Sequence, residues 1–587
     1  AESGAFVPEV YYNLAYCYYK TGQADNAADC CYLIIRRSDS YAPAYNLLAA
    51  INILQDNLTT AENWIEEAIR INPEDKDFRI NLGRLCMDMR KFDKAIATFK
   101  AAARIEPSDP DIYNDIGACF INISNYDNAI DSFIKCINID DNYTRAYKNL
   151  GELHFQLEEY DYAIKVFKTA IDKDPNDWEA YASLGKVYYR IGKYSSAILM
   201  YQQAVELKPD FSEGYIDLGR SFYQEKWYRQ AIESFEKGIE IDPDQEGCCL
   251  ELGISYSNIG EYAKAISYLD KYLSRGGLQA EGHFWKGQVY EKQGNTQKAI
   301  RSYQIAEKID PGLVDLYHGL GGAYLHSQQY IQAIEMFQKA ITMKPDDENA
   351  YLGLGSAYMQ YSGWKSTPEG YSNAIFAFRQ ALRVNPNSFY AWIQIGIAYD
   401  MLESYEEAIT AFTQARRINP RSARLYYHIG LAYAHEESYV KAIMQFKRAL
   451  ELKPDMFNAR LQMGIMYLNL GYSQKAIDSL RTCITLRPND HSVYNLLGLV
   501  YQNKEDYEKA ITLFMEAVFL KPNFAEAHYH LGLAYLSVEW NKDAVRQCLR
   551  LKRLDKNLAA KLYKMIASSL RIFPTEAEMY QMINEEL

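Results

Sequence analysis

Long apolar runs are missing from this chain, although 48% of its 587 residues are hydrophobic. Because no stretch approaches the roughly 18 apolar residues that cross a bilayer, the sequence predicts no membrane span. Basic residues are also fewer than acidic ones: the chain has 63 Lys and Arg but 76 Asp and Glu, which gives a formal net charge of −13. Such a chain is on average repelled by polyanions, so we expect no nucleic-acid partner.

Motifs that carry catalysis, cofactors or metals are equally scarce. The ten cysteines contain no CxxC pair, and no carboxylate or cysteine completes a ligand set around the histidines. A Walker-type phosphate loop is absent, and the glycines from Gly319 to Gly322 coincide with a helix-packing position of the repeat described below. We therefore expect a non-enzymatic protein with no catalytic, cofactor-binding or metal-binding residues.

Linkers rich in Pro, Gly or Ser are absent too, and a 34-residue repeat fills the chain instead. With Pro8 as position 1, repeats begin at residues 8, 42, 76, 110, 144, 178, 212, 246, 280, 314 and 348. After a seven-residue insertion within 361–371, they resume at 389, 423, 457, 491 and 525. The sequence thus predicts about sixteen repeats within 1–556, then a capping helix and tail in 557–587.

Each repeat has the residue pattern of two amphipathic helices. Positions 4, 7, 8 and 11 follow the spacing of one helical face, and positions 20, 24 and 27 form the face of a second helix. Small residues at positions 8 and 20 let the two helices approach closely, and proline at position 32 ends the second one. One hairpin cannot bury both of its faces, so the pattern predicts an all-α stack of hairpins.

The repeat from Trp178 carries the full pattern in Tyr181, Leu184, Gly185, Tyr188, Ala197, Tyr201, Ala204 and Pro209. In these residue types and spacings the chain resembles the tetratricopeptide repeat (TPR) family. The resemblance implies a right-handed α-solenoid, a superhelix whose first helices line the inner surface. It also implies a scaffold that binds partner proteins or peptides along that concave surface, in a ciliary, flagellar, envelope or similar assembly.

Two other functions remain open from the sequence. One is the substrate-recognition arm of a larger enzyme, such as a glycosyltransferase, whose catalytic domain lies outside this chain. The other is a structural solenoid that assembles with copies of itself. Because the chain begins without an initiator Met, we expect a processed protein or part of a longer one. The expected compartment is the cytoplasm, or the bacterial periplasm if a signal peptide has been removed.

The most specific expectation concerns the first helices of repeats twelve to sixteen, where position 9 is aliphatic in unbroken succession. With apolar residues at positions 5, 12 and 13, these side chains form what we call the apolar strip: Ile393, Ile397, Met401, Tyr427, Leu431, Leu461, Ile465, Leu468, Leu499, Tyr529 and Leu533. Such a strip exceeds what proteins normally expose, so we expect it to hold an apolar helix or extended segment of a partner. The alternative is burial within the chain, by a tighter superhelix or by the C-terminal segment around Ile572, Phe573, Met579 and Met582.

A partial asparagine ladder is the second candidate site. In the TPR region of O-linked N-acetylglucosamine transferase, asparagines at position 6 grip a peptide backbone. Here Asn13, Asn81 and Asn149 match that position, whereas most later repeats do not. The resemblance therefore implies at most a short ladder in the N-terminal third of the chain.

Two departures from the repeat complete the candidate sites. The insertion carries Tyr361, Trp364 and Tyr371 on a predicted Gly- and Pro-bearing loop, which is either a contact knob or a neutral insertion. The stretch Arg275-Gly276-Gly277 replaces the usual proline turn. Because two glycines release the constraint that proline imposes, we expect a hinge at 275–278.

Overall fold

The computed structural model describes residues 6–243, 246–365, 367–570, 575 and 577–578, without the side chains of residues 246 and 364. Within these ranges it contains 33 α-helices and no strand, so the predicted all-α fold class is confirmed. No helix there is long and apolar enough to cross a membrane. The chain divides into two compact units, residues 1–278 and residues 279–587, and each unit is a stack of helical hairpins.

In unit 1, the described residues form eight hairpins of a first and a second helix. The first helices are α1 (Pro8–Lys20), α3 (Ala42–Leu54), α5 (Lys76–Asp88), α7 (Pro110–Asn122), α9 (Thr144–Gln156), α11 (Trp178–Arg190), α13 (Ser212–Gln224) and α15 (Cys249–Asn258), the last preceded by a 3-10 turn (Glu246–Cys248). The second helices are α2 (Ala24–Arg37), α4 (Leu58–Ile71), α6 (Phe92–Ile105), α8 (Tyr126–Ile139), α10 (Tyr160–Lys173), α12 (Tyr194–Leu207), α14 (Tyr228–Ile241) and α16 (Tyr262–Ser274).

In unit 2, the described part of the chain forms eight more hairpins and a final helix, α33 (Lys556–Leu570). The first helices are α17 (Gln279–Lys292), α19 (Val314–His326), α21 (Glu348–Lys365), α23 (Phe389–Met401), α25 (Ala423–His435), α27 (Phe457–Asn469), α29 (His491–Asn503) and α31 (Ala525–Ser537). The second helices are α18 (Thr296–Ile309), α20 (Tyr330–Met343), α22 (Pro368–Val384), α24 (Tyr405–Ile418), α26 (Tyr439–Leu452), α28 (Ser473–Leu486), α30 (Tyr507–Leu520) and α32 (Asn541–Leu554).

Within most hairpins, a glycine at position 8 of the first helix faces an aromatic ring at position 24 of the second. A Cβ added to Gly83 would lie 2.5 Å from Cε1 of Phe99, and one added to Gly430 would lie 2.5 Å from Cε1 of Phe446. Both rings are fully buried. The absent side chain thus provides the room in which the two helices approach each other.

Hydrogen bonds from position 4 tie each of several first helices to the turn before it. The hydroxyl of Tyr426 donates to the carbonyl of Pro420 (3.1 Å), and the indole Nε1 of Trp392 donates to that of Pro386 (3.3 Å). Tyr317 and Tyr494 make the same contact to the prolines six residues before them. Position 4 is therefore aromatic with a polar tip because it packs in the core and also satisfies a turn carbonyl.

Consecutive first helices contact one another, as α23 does with α25, α25 with α27, α27 with α29, and α29 with α31. Within the described ranges, consecutive second helices do not contact one another to the same degree. The first helices are therefore closer together than the second helices, so the first helices form the inner surface of this stack.

Helix α33 covers the end of the last hairpin by packing on α31 and α32. Leu562 lies against Gly532, where a Cβ would come within 2.5 Å of its Cδ2. This contact replaces the usual aromatic ring, because position 24 of this hairpin is Cys548. Leu562 and Ile566 are fully buried, whereas Met565 on the same helix is 53% exposed.

Candidate functional site

The apolar strip lies on the first helices of unit 2, and its members differ in exposure. Ile393 is only 4% exposed and belongs to the core, while Met401 is 48% exposed. The other nine side chains are half-buried and pack against the core cluster beneath them. The strip is therefore both the upper layer of the core and part of the inner surface.

Helical spacing explains how the strip forms. Positions 5 and 9 are one turn apart, so Tyr427 and Leu431 share a face of α25, and Leu461 and Ile465 share a face of α27. The pattern is interrupted in α29, where position 5 is Asn495. This buried amide accepts a hydrogen bond from Nδ1 of His530 on α31 (2.9 Å).

Position 6 runs beside the strip and carries Gln394, His428 and Gln462 in repeats twelve to fourteen. All three side chains are half-buried, and they make no hydrogen bond or ion pair with the described residues. The His428 ring stacks on Phe412 with 6.2 Å between the ring centroids. Burial, with the positive charge of Arg424, lowers the pKa of His428 to about 4, so its imidazole is neutral at physiological pH.

In unit 1, by contrast, side-chain amides at position 6 make hydrogen bonds between neighbouring repeats. Nδ2 of Asn81 donates to Oδ1 of Asn46 (3.2 Å), and Nδ2 of Asn149 donates to Oδ1 of Asn114 (2.8 Å). Asn13 is exposed and makes no hydrogen bond with the described part of the chain. The three asparagines of the possible ladder thus differ, because two of them already donate to a neighbouring helix.

Ion pairs occupy the same surface of unit 1. Arg84 Nε lies 2.9 Å from a carboxylate oxygen of Asp115. Lys148 Nζ lies 3.1 Å from Asp177 and 2.6 Å from Glu179. These charged groups on the inner surface of unit 1 are therefore paired with one another, whereas the strip of repeats twelve to fourteen is apolar and lies beside polar side chains that make no hydrogen bond with the described residues.

The seven extra residues of the eleventh repeat lengthen its two helices. Helix α21 has 18 residues and α22 has 17, whereas α19 has 13 and α20 has 14. Tyr361 lies on α21 and Tyr371 on α22, both half-buried, and the side chain of Trp364 is outside the described residues. The Oγ of Ser362, which is fully buried, donates to the carbonyl of Thr367 and links the two helix ends.

The glycine stretch after α16 lies at the end of unit 1. Gly276 has a φ of 85°, a left-handed conformation that favours glycine. A Cβ on Gly277 would lie 2.6 Å from the ring of Tyr272, whose hydroxyl accepts a hydrogen bond from the backbone N–H of Leu278 (3.0 Å). The hinge at 275–278 stays a prediction.

The described residues contain no group of three or more His, Cys, Asp or Glu side chains placed to hold a metal ion. All ten cysteines are free thiols, and most are buried. Burial raises the pKa of Cys31 and of Cys248 to about 12, so both remain protonated and unreactive.

Comparison with known families gives matches between residues 8 and 538. Models described as tetratricopeptide repeat match residues 8–40, 52–114, 110–143, 178–211, 212–245, 250–314, 369–420, 394–457 and 457–490. A model described as TPR repeat matches 151–192, 323–361 and 503–538. Together these matches cover well over half of the chain. No curated protein matches it.

Several solved structures match this chain with low TM-scores. A chain of the structure of Naa15/Naa10 bound to HypK-THB has 12% identity over 98% of each chain and a TM-score of 0.37. Yeast Tom70 has 17% identity over 76% of this chain and 99% of its own, with a TM-score of 0.37. MamA has 26% identity over 28% of this chain and 96% of its own, with a TM-score of 0.27. These TM-scores are low, so the three structures say nothing about what this chain binds.

Proposed function

We propose that this chain, which belongs to the tetratricopeptide repeat family, is a scaffold that holds a segment of a partner protein against the apolar strip of unit 2. A chain built of such repeats is typical of non-catalytic scaffolds for protein interaction. The observation that carries the proposal is the aliphatic column at position 9 of five successive first helices: Ile397, Leu431, Ile465, Leu499 and Leu533.

Burial of this column alone provides little binding free energy. Full burial of a Leu or Ile side chain is worth about 1.5–3 kcal/mol, so each of these half-buried residues has at most about 1 kcal/mol left to gain from a partner. Five such residues give at most about 5 kcal/mol, which is close to the lowest estimates for the cost of association, about 4 kcal/mol. Binding of useful affinity therefore needs hydrogen bonds in addition to apolar contact.

The inner surface of unit 1 is a poorer candidate for the same role. Arg84, Asp115 and Lys148 already have partners of opposite charge, and a ligand would have to break those pairs before it could use them. Breaking a partly buried pair leaves a desolvated charge without a partner, which is costly. Binding at the apolar strip does not require a ligand to break an ion pair.

The proposal is tested by placing a photo-crosslinker, p-benzoylphenylalanine, at Ile465 in the natural host. The expected result is a covalent adduct with one partner protein. The matched control carries the same group at Gln474, an exposed position on the outer helix α28, and gives no such adduct. The alternative cover for the strip, Ile572, Phe573, Met579 and Met582, lies outside the described residues. A crosslink from position 465 to peptides of that segment, without a partner adduct, would overturn the proposal.

A further inference from the structure

The second helices α6 and α8 border a groove on the outer side of unit 1. Its volume is about 560 Å³, which is within the usual range of clefts that bind ligands. The buried rings of Tyr113 and Phe120, on the first helix α7, form part of its floor. Its walls carry three exposed cations, which are Lys100 and Arg104 on α6 and Lys135 on α8. The groove therefore combines an aromatic floor with positively charged walls.

Lys100 lacks a hydrogen bond that its position makes in later repeats. At position 25, Arg379 and Arg481 donate to the hydroxyl of the tyrosine at position 11 of the next repeat, at 2.8 Å and 3.1 Å. Repeat four carries Phe120 at position 11, so this hydroxyl is missing. The ammonium of Lys100 lies 5.3 Å from the centroid of the Phe120 ring and makes no hydrogen bond or ion pair with the described residues. It is therefore available to a ligand.

Lys135 lacks a carboxylate partner for a similar reason. At the same position of repeat ten, position 26, Lys339 lies 3.1 Å from Glu307, which occupies position 28 of the preceding repeat. Repeat three carries Ala103 at position 28. The ammonium of Lys135 lies 4.4 Å from the centroid of the Tyr113 ring and makes no ion pair within the described part of the chain. A second cation of the groove is thus left without a counter-charge.

Arg104 and the hydroxyl of Tyr113 are two further groups without a partner among the described residues. The tyrosine at the same position of repeat thirteen, Tyr426, donates to the carbonyl six residues before it, whereas Tyr113 makes no such bond. Asp131 is the one acidic residue among the described residues that line the groove, and it is exposed. Three cations and a hydroxyl are therefore set against one carboxylate.

We propose that this groove binds an acidic segment of a partner protein, whose Asp or Glu carboxylates pair with Lys100, Arg104 and Lys135. Unit 1 as a whole has 29 Lys and Arg but 44 Asp and Glu, so the groove reverses the charge of its surroundings locally. Charges farther than about 8 Å apart are largely screened at physiological salt, so a short acidic segment interacts mainly with the groove. A long polyanion would meet the negative remainder of the unit as well.

The size of the groove favours a peptide over a small anion. A phosphate ion would fill only a small part of the 560 Å³ and would leave the aromatic floor in water. Individual ion pairs at an exposed surface contribute little, so useful affinity needs apolar contact with the floor in addition. An acidic segment that also carries an apolar side chain supplies both. This interaction uses the outer side of unit 1 and does not depend on the apolar strip of unit 2.

The experiment selects peptides from a random library displayed on phage, with the full chain as bait. Peptides that also bind the double variant Lys100→Glu with Lys135→Glu are removed, and the affinity of the rest is measured by fluorescence anisotropy. We expect peptides with two or more Asp or Glu beside an apolar residue. Lys135→Glu should weaken their binding about tenfold, because attraction becomes repulsion. Lys168→Glu, the same change at an exposed position of the outer helix α10, is the matched control and leaves affinity unchanged.

Asp131→Asn should act in the opposite direction and strengthen the peptides about threefold, because it removes the one carboxylate of the groove. A variant that fails to fold cannot produce such a gain. Lys135→Glu should leave the crosslink from position 465 unchanged, so the groove is tested separately from the function proposed above.

Four results would overturn the proposal. The selection yields no peptides or peptides without acidic residues, or Lys135→Glu and Lys168→Glu have equal effects. Equimolar inorganic phosphate displaces the peptides, which indicates a site for small anions. The wild-type chain forms a dimer at low salt that Lys135→Glu dissociates, which indicates a second copy of the chain as the occupant.

Discussion

Nδ1 of His435 donates to the carboxylate of Asp400, with 2.9 Å between Nδ1 and Oδ1, and so links α25 to α23 across the boundary between two repeats. The residues are 35 positions apart, and His530 and Asn495 make a second link at the same separation. Side chains on neighbouring first helices thus hold the spacing of the inner surface beside the strip.

Removing one member of this pair should cost more than removing both. His435→Ala leaves the buried carboxylate of Asp400 without its partner, so we expect a loss of about 1–3 kcal/mol in the free energy of unfolding. Asp400→Asn combined with His435→Ala removes the unpaired charge and should recover part of that loss. Urea unfolding of the four members of this double-mutant cycle measures the coupling; additive losses would contradict it.

His428 should make unit 2 sensitive to acid. Its pKa lies at about 4 in the folded protein, below the ordinary 6.5, so the unfolded chain binds a proton more readily. Stability is then full above pH 6.5 and falls as pH decreases toward 4, by at most roughly 3 kcal/mol. Melting temperatures measured at several pH values should fall more steeply for the wild-type chain than for His428→Gln. Parallel curves would show that the imidazole titrates normally.

Glu62 should stabilise the second and third hairpins through its two lysine partners. Its carboxylate accepts from Lys91 (2.7 Å) and Lys94 (2.5 Å), and these hydrogen bonds lower its pKa below the ordinary 4.5. The contribution is present above pH 4.5 and is lost as pH falls through the lowered pKa. Glu62→Gln should therefore cost about 1–2 kcal/mol near pH 7. Glu66→Gln is the control, because Glu66 is exposed and should cost less than about 0.5 kcal/mol.

Gly430 should tolerate no side chain. Because an added Cβ would overlap the buried ring of Phe446, Gly430→Ala should lower the free energy of unfolding by about 1–3 kcal/mol. Gly464 faces Leu480 in the next repeat, so Gly430→Ala with Phe446→Leu should regain part of the loss. Gly247→Ala, where the Cβ meets nothing within 4 Å, is the control. Equal melting temperatures for Gly430→Ala and Gly247→Ala would refute the close approach.

The fold could be predicted from the sequence because its causes are local and repeated. Apolar residues one turn apart define each helical face, and a small residue at position 8 defines where helices meet, as at Gly430. These signals recur every 34 residues, so chance matches are eliminated by repetition. The placement of the strip on first helices followed from the same periodicity.

The tertiary structure alone decided how much of each strip residue faces outward. Ile393 and Ile397 are one turn apart on one helix, yet the first is buried and the second is half-buried. It also decided that the amides of Asn81 and Asn149 donate hydrogen bonds to neighbouring helices, while those of Gln394 and Gln462 do not. The lengthening of α21 and α22 by the insertion is likewise visible only in the structure. Periodicity defines the face of a helix on which a residue lies. Its exposure and its hydrogen-bond partners depend on the next helix, whose distance and angle are set by packing across the whole interface.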